Sequence, residues 1–173
     1  MLGTFVAGAY TGSYTKTGDT LRSLGLTEKG FMLRWTYVTD DVDNTDSYGQ
    51  GTLIEQFYQG VNVWIGGIFK EYTQGTLYAV GAYQTLIAPT GVASFLLGTI
   101  GRAATNVGGP VVLTAVSGTP AASSPATLTA AMAIPDKGQQ TEMLFGPTHR
   151  TIPFLFRIIP TTISSNATYF TTT

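Results

Sequence analysis

Three runs follow one another without a break: Phe31-Met32-Leu33-Arg34-Trp35-Thr36-Tyr37-Val38, then Thr39-Asp40-Asp41-Val42-Asp43-Asn44-Thr45-Asp46-Ser47-Tyr48-Gly49-Gln50-Gly51, then Thr52-Leu53-Ile54-Glu55-Gln56-Phe57-Tyr58-Gln59. In the first, large apolar residues at 31, 33, 35 and 37 alternate with a mixed set at 32, 34, 36 and 38, the period of two that marks a half-buried strand. The second holds four of the chain's 10 acidic residues, Asp40, Asp41, Asp43 and Asp46, and has no apolar period. It reads as a long solvated loop over residues 39–51. The third is β-branched and aromatic, as strands prefer, and after a turn at Gly60 a further strand is expected over residues 61–72. Residues 30–72 thus read as a frame of strands with no helix between them.

On the N-terminal side, residues 3–25 are rich in Gly, Thr and Tyr and read as an extended arm with one short strand. Leu24-Gly25-Leu26-Thr27-Glu28-Lys29-Gly30 is a turn into the frame, with Gly30 free to take positive φ. Beyond the frame, apolar spacing at Leu77, Ala79, Val80, Tyr83 and Leu86 predicts one short helix over residues 74–87, stopped by Pro89. Residues 110–116 read as a strand that begins with proline, and residues 127–134 as another, with Leu128, Ala130, Met132 and Ile134 on one face. The last strong strand spans residues 150–159, with Ile152, Phe154, Phe156 and Ile158 on one side. Pro153 inside it lacks an N–H, which predicts an edge position or a local bulge. Residues 161–173 form a polar tail. About seven antiparallel strands with one short flanking α-helix do not alternate β with α, so the expected class is mainly β, a β-sandwich or open barrel.

At 173 residues the chain is long enough for one domain, 1–173, with a substantial core, an arm over about 1–23 and a tail over about 161–173. Charged residues make up 11% and the net charge is −1, so no global field draws the chain to nucleic acid or to an anionic membrane. With no cysteine there is no disulfide, thiolate metal site or thiol nucleophile. Neither a signal peptide nor a membrane span is expected.

Few residues suggest chemistry. The single histidine, His149, has no second histidine to make a metal pair and no G-x-S-x-G elbow to serve. Asp41-Val42-Asp43-Asn44-Thr45 begins like a calcium loop, yet the sixth position is Asp46 where glycine is required, and the twelfth is Thr52 where a bidentate glutamate belongs. The basic residues are scattered singly, which suits isolated surface charges better than a nucleic-acid patch. Trp35 and Trp64 lie mid-strand and read as core or subunit-interface residues. The expectation is a protein that is not an enzyme and has no metal or cofactor.

Leu24-Gly25-Leu26-Thr27-Glu28-Lys29-Gly30-Phe31, the loop ending Asp46-Ser47-Tyr48-Gly49, and the return Ile54-Glu55-Gln56-Phe57-Tyr58-Gln59-Gly60 together resemble the tail tube proteins of tailed bacteriophages. Leu97-Gly98-Thr99-Ile100-Gly101, Ala133-Ile134-Pro135 and the closing Ile152-Pro153-Phe154-Leu155-Phe156-Arg157-Ile158-Ile159-Pro160 are similar to the same family, and the likeness runs over most of residues 20–160. The resemblance implies a fold shared with the inner tube of type VI secretion systems. It also implies hexameric rings stacked into a hollow tube in the virion tail, assembled in the host bacterial cytoplasm. Double-stranded DNA would pass through without specific binding, and the partners would be further copies, a terminator, a baseplate, and a sheath or tape measure. The loop over residues 39–51 would contact the neighbouring ring, with Asp40, Asp41, Asp43, Asp46 and Tyr48 at that contact and the acids pairing with cations. Arg34 and Glu55 would lie at the lumen or an interface. Two alternatives remain open: another ring-forming tail component such as a terminator, neck or baseplate protein, or a carbohydrate-binding β-sandwich using exposed rings such as Tyr10, Tyr14 and Tyr48.

Overall fold

The computed structural model describes residues 9–18, 20–44, 52–71, 76, 79, 100–101, 103–117, 126–136, 151–161 and 167–173. They form a mainly β protein. Eight strands are described: β1 (Tyr10–Tyr14), β2 (Arg22–Ser23), β3 (Thr27–Asn44), β4 (Thr52–Phe69), β5 (Gly109–Ala115), β6 (Thr127–Pro135), β7 (Ile152–Ile159) and β8 (Phe170–Thr172). All belong to one antiparallel sheet in the order β2-β1-β5-β6-β7-β4-β3, and β8 pairs with β6. Along one flank β6 meets β7 through Met132 to Pro135 and β8 through Leu128 to Ala130.

One face of the sheet carries the core. Val63 and Ile65 of β4 lie opposite Ile158 and Phe156 of β7, and Phe69 lies opposite Ile152. These side chains are buried together with Tyr14, Val111, Leu113, Leu128 and Ala130. Phe69 stacks on Phe154 at 4.0 Å between centroids, and Tyr14 packs against Phe156 at 5.0 Å while its hydroxyl donates to the Ala133 carbonyl. The sheet bends back on itself, so β1 meets the start of β3 although the two lie near opposite ends of the strand order. The ring of Phe31 lies over Gly12, where a β-carbon would come within 2.8 Å of Cε1.

Several expectations change. Within the expected arm, the one short strand expected over residues 3–25 is joined by a second, β2, and is built into the sheet: β1 pairs with β5 from Tyr10↔Ala115 to Tyr14↔Val111 and sends Tyr14 into the core. Nor is the far end wholly a free tail. β8 returns to β6, Phe170 packs against the core, and the Tyr169 hydroxyl donates to the Val61 carbonyl at 3.0 Å. Gly60 does not turn the chain: residues 52–69 are one strand, and the step from Val38↔Gly60 to Thr39↔Tyr58 leaves Gln59 as the extra residue of a bulge. Gly30 does adopt positive φ, at 80°, beside an irregularity between Thr27 and Phe31.

In β6 the expected face holds through Leu128 and Ala130. The register with β5 then steps from Val111↔Ala130 to Gly109↔Ala133, which spends one extra residue of β6. Past that bulge Ala133 is buried, while Met132 and Ile134 are only half-buried. The four residues picked for the core of β7 are all buried. Pro153, however, lies within a strand that has neighbours on both sides. Leu155 turns its carbonyl to the β6 flank, where it accepts from the Asp136 N–H at 2.9 Å, and residues two apart face the same flank. The absent N–H of Pro153 therefore points where the described ladder with β6, ending at Pro135↔Phe156, has already run out. Of the helix expected over residues 74–87, only Thr76 and Ala79 are described, both helical and both buried. The expectations at Asp46, Tyr48 and His149 fall outside the described residues.

Candidate assembly interface

β3 and β4 are each 18 residues long, and β7 accompanies β4 only from Val63 to Phe69. The outer part of the hairpin therefore extends past the sheet as a two-stranded ribbon. Of the loop expected over residues 39–51, the described part, residues 39–44, is strand, so Asp40, Asp41 and Asp43 are ladder residues opposite Phe57, Gln56 and Leu53.

Residues directly opposite across an antiparallel pair share a face. Leu33, Trp35 and Tyr37 thus share the core face with Ile65, Val63 and Val61. Their exposure differs sharply from that of their partners: Trp35 is 54% and Tyr37 63% exposed, against 4% for Val63 and 1% for Ile65. The expectation of a half-buried β3 holds at Phe31, which packs against the core, and fails from Leu33 outward. Among the described residues no strand lies beside the outer flank of β3, and none lies beneath the far end of its apolar row. Tyr58 joins the row with its ring edge-on to Tyr37 at 6.1 Å, and is exposed too. The other face of the ribbon shows Met32, Val38, Val42 and Phe57 to solvent.

Arg34 is exposed on the face away from the core, directly opposite Trp64. Arg157 lies on the other side of Trp64, and its guanidinium donates to Asn62 Oδ1 at 2.6 Å. Trp64 itself donates from Nε1 to Asp136 Oδ2 at 2.7 Å. A shallow cleft of about 250 Å³ adjoins this row, lined by Val61, Asn62, Ile134, Arg157 and Tyr169 among others. Glu55 is exposed opposite Val42. Asp41 accepts from Gln56 Nε2 at 2.8 Å and Asp40 from Gln59 Nε2 at 3.2 Å, ties internal to the ribbon that nothing in the sequence singled out. Tyr14 is fully buried and Tyr10 half-buried, so neither offers the open ring that a sugar-stacking surface needs.

Among the described residues no three metal-ligating side chains converge, and no helix is long and apolar enough to cross a membrane. The ribbon offers instead a long row of outward-facing backbone N–H and C=O groups on β3 beside exposed aromatic rings, the pattern that accepts another strand. Fold and surface together define a mainly β protein in which, among the described residues, the outer flank of β3 is unpaired. Comparison with protein-family models and with curated proteins finds no match.

Proposed function

We propose that this protein is a structural subunit of a phage tail tube, built as hexameric rings that stack into a conduit for genome delivery. The sheet would curl into the sandwich or open barrel of that architecture. The observation that carries the reading is the β3–β4 ribbon. An 18-residue edge strand with Leu33, Trp35 and Tyr37 open to solvent beside a well-filled core is a poor surface for a lone subunit and a good one for an assembly. A strand of the next copy laid along β3 would continue both the sheet and the apolar row. Repeated head to tail, that contact closes into a ring. The far end of the ribbon, beyond β7, then reaches toward the neighbouring ring.

Negative-stain electron microscopy of the concentrated protein tests this directly. Long hollow tubes are expected from the intact chain. Discrete rings would instead indicate a terminator, neck or baseplate component, and monomers at every concentration would reject both. Deleting residues 40–48 should leave a folded subunit that forms rings without long tubes, and normal tubes from that deletion would refute the stacking role of the ribbon tip.

A further inference from the structure

The acids of the ribbon suggest an account different from pairing with a neighbour's cations. Beyond the main sheet the β3–β4 ladder is interrupted twice, between Val38 and Thr39 and between Val42 and Asp43, where Gln59 and Ile54 are the extra residues. Between these bulges stands a short block in which Thr39, Asp40, Asp41 and Val42 face Tyr58, Phe57, Gln56 and Glu55. All eight residues are exposed. Burial of one face, which normally holds a strand in register, is therefore missing here, and such a block is prone to slip by one residue.

We propose that Asp40, Asp41, Asp43 and Glu55 form a register lock for this block. Two of the acids hold the native pairing: Asp41 is tied to the directly opposite Gln56, and Asp40 to the bulge residue Gln59. Glu55 acts against the alternatives. In the native ladder it faces the uncharged Val42. A slip of one residue in one direction brings Asp41 opposite Glu55, and a slip in the other direction brings Asp43 there. Like charges directly opposite destabilise an antiparallel pair, so both single-residue errors are penalised by the same carboxylate. The lock belongs to the subunit; its consequence, a ribbon tip presented in one geometry to the next ring, rests on the tail-tube reading.

The chain has no cysteine, so engineered pairs report register cleanly. With Thr39→Cys and Tyr58→Cys, oxidation traps the native pairing; with Thr39→Cys and Phe57→Cys, it traps the slip that sets Asp41 against Glu55. In the otherwise unaltered protein the native cross-link should dominate. Glu55→Lys turns the repulsive slipped pair into an attractive one and should lower the native-to-slipped ratio about tenfold. Adding Asp41→Lys restores like charges in that slip, and its ammonium can donate to the Gln56 side-chain carbonyl where the Asp41 carboxylate accepted from the amide, so the ratio should come back, a rescue that general fraying of the ribbon would not show. A ratio unmoved by Glu55→Lys, or one not recovered by the double reversal, overturns the lock. These cross-links are read on the subunit whether or not it polymerises, so an absence of tubes would count against the tail-tube reading alone.

Discussion

Gly66 and Gly67 stand side by side inside β4 near its C-terminal end, a place where glycine normally weakens a strand by its lost backbone entropy. Their neighbours explain them. A β-carbon on Gly67 would lie 2.9 Å from Cε1 of Phe154, and one on Gly66 would lie 2.9 Å from Cδ1 of Leu155. Gly67 makes room on the core side for the ring that stacks on Phe69, and Gly66 makes room for leucine on the other. Gly67→Ala should force the Phe154 ring to move at a cost of about 1–3 kcal/mol, lowering the melting temperature by roughly 2–10 °C in a calorimetric scan. A melting temperature equal to that of the parent would show the ring to be less tightly held than its stacking suggests. On the opposite face, Trp64→Phe keeps most of the buried ring and removes the N–H that reaches Asp136. Its expected cost is about 1 kcal/mol, read by denaturant titration, and Asp136→Asn should cost less because an amide oxygen still accepts.

At the scale of elements, strands were readable where a neighbour lay on each side. Ile152, Phe154, Phe156 and Ile158 alternate and are all buried, because β6 and β4 flank β7 and the core lies beneath it. The same alternation at Phe31, Leu33, Trp35 and Tyr37 marked a strand correctly, and its burial correctly at Phe31 but not at the other three. Periodicity reports which residues share a face; whether that face is covered depends on strand order, which no local pattern contains. Bulges were hidden for a related reason, since the extra residue in β6 or at Gln59 is extra only relative to a partner strand. The acidic residues 39–44 read as loop because strand pairing between two solvent-exposed faces leaves no apolar period to find. The ribbon's exposed rings therefore give a sharp contrast at this scale. Trp35→Ser with Tyr37→Ser should alter subunit stability little, with the melting temperature within a few degrees of the parent's. The same pair should abolish polymerisation in light scattering, and tubes that persist in the double variant would exclude this row from the contact.

At the scale of the whole molecule, the described strands form one antiparallel sheet in which β2 is short and β3 is long and unpaired on its outer flank among the described residues. Association along β3 should rest on apolar and backbone contacts more than on charge, given the net charge of −1 and the scattered basic residues. Sedimentation velocity should accordingly show mass rising with concentration, persisting when salt is raised, and strengthening in sulfate, which promotes apolar burial. Dissociation by moderate sodium chloride would point to ion pairs instead. The pairing of β1 with β5 has a consequence during synthesis. Tyr10 finds its ladder partner at Ala115, so the first strand leaves the ribosome with its neighbour still unmade. At ordinary translation speeds the wait is roughly 5–20 s. For that interval Tyr14 of the same strand, destined for full burial, is held in solvent, and the nascent polypeptide is a natural client for a chaperone that binds extended, aromatic segments near the tunnel exit.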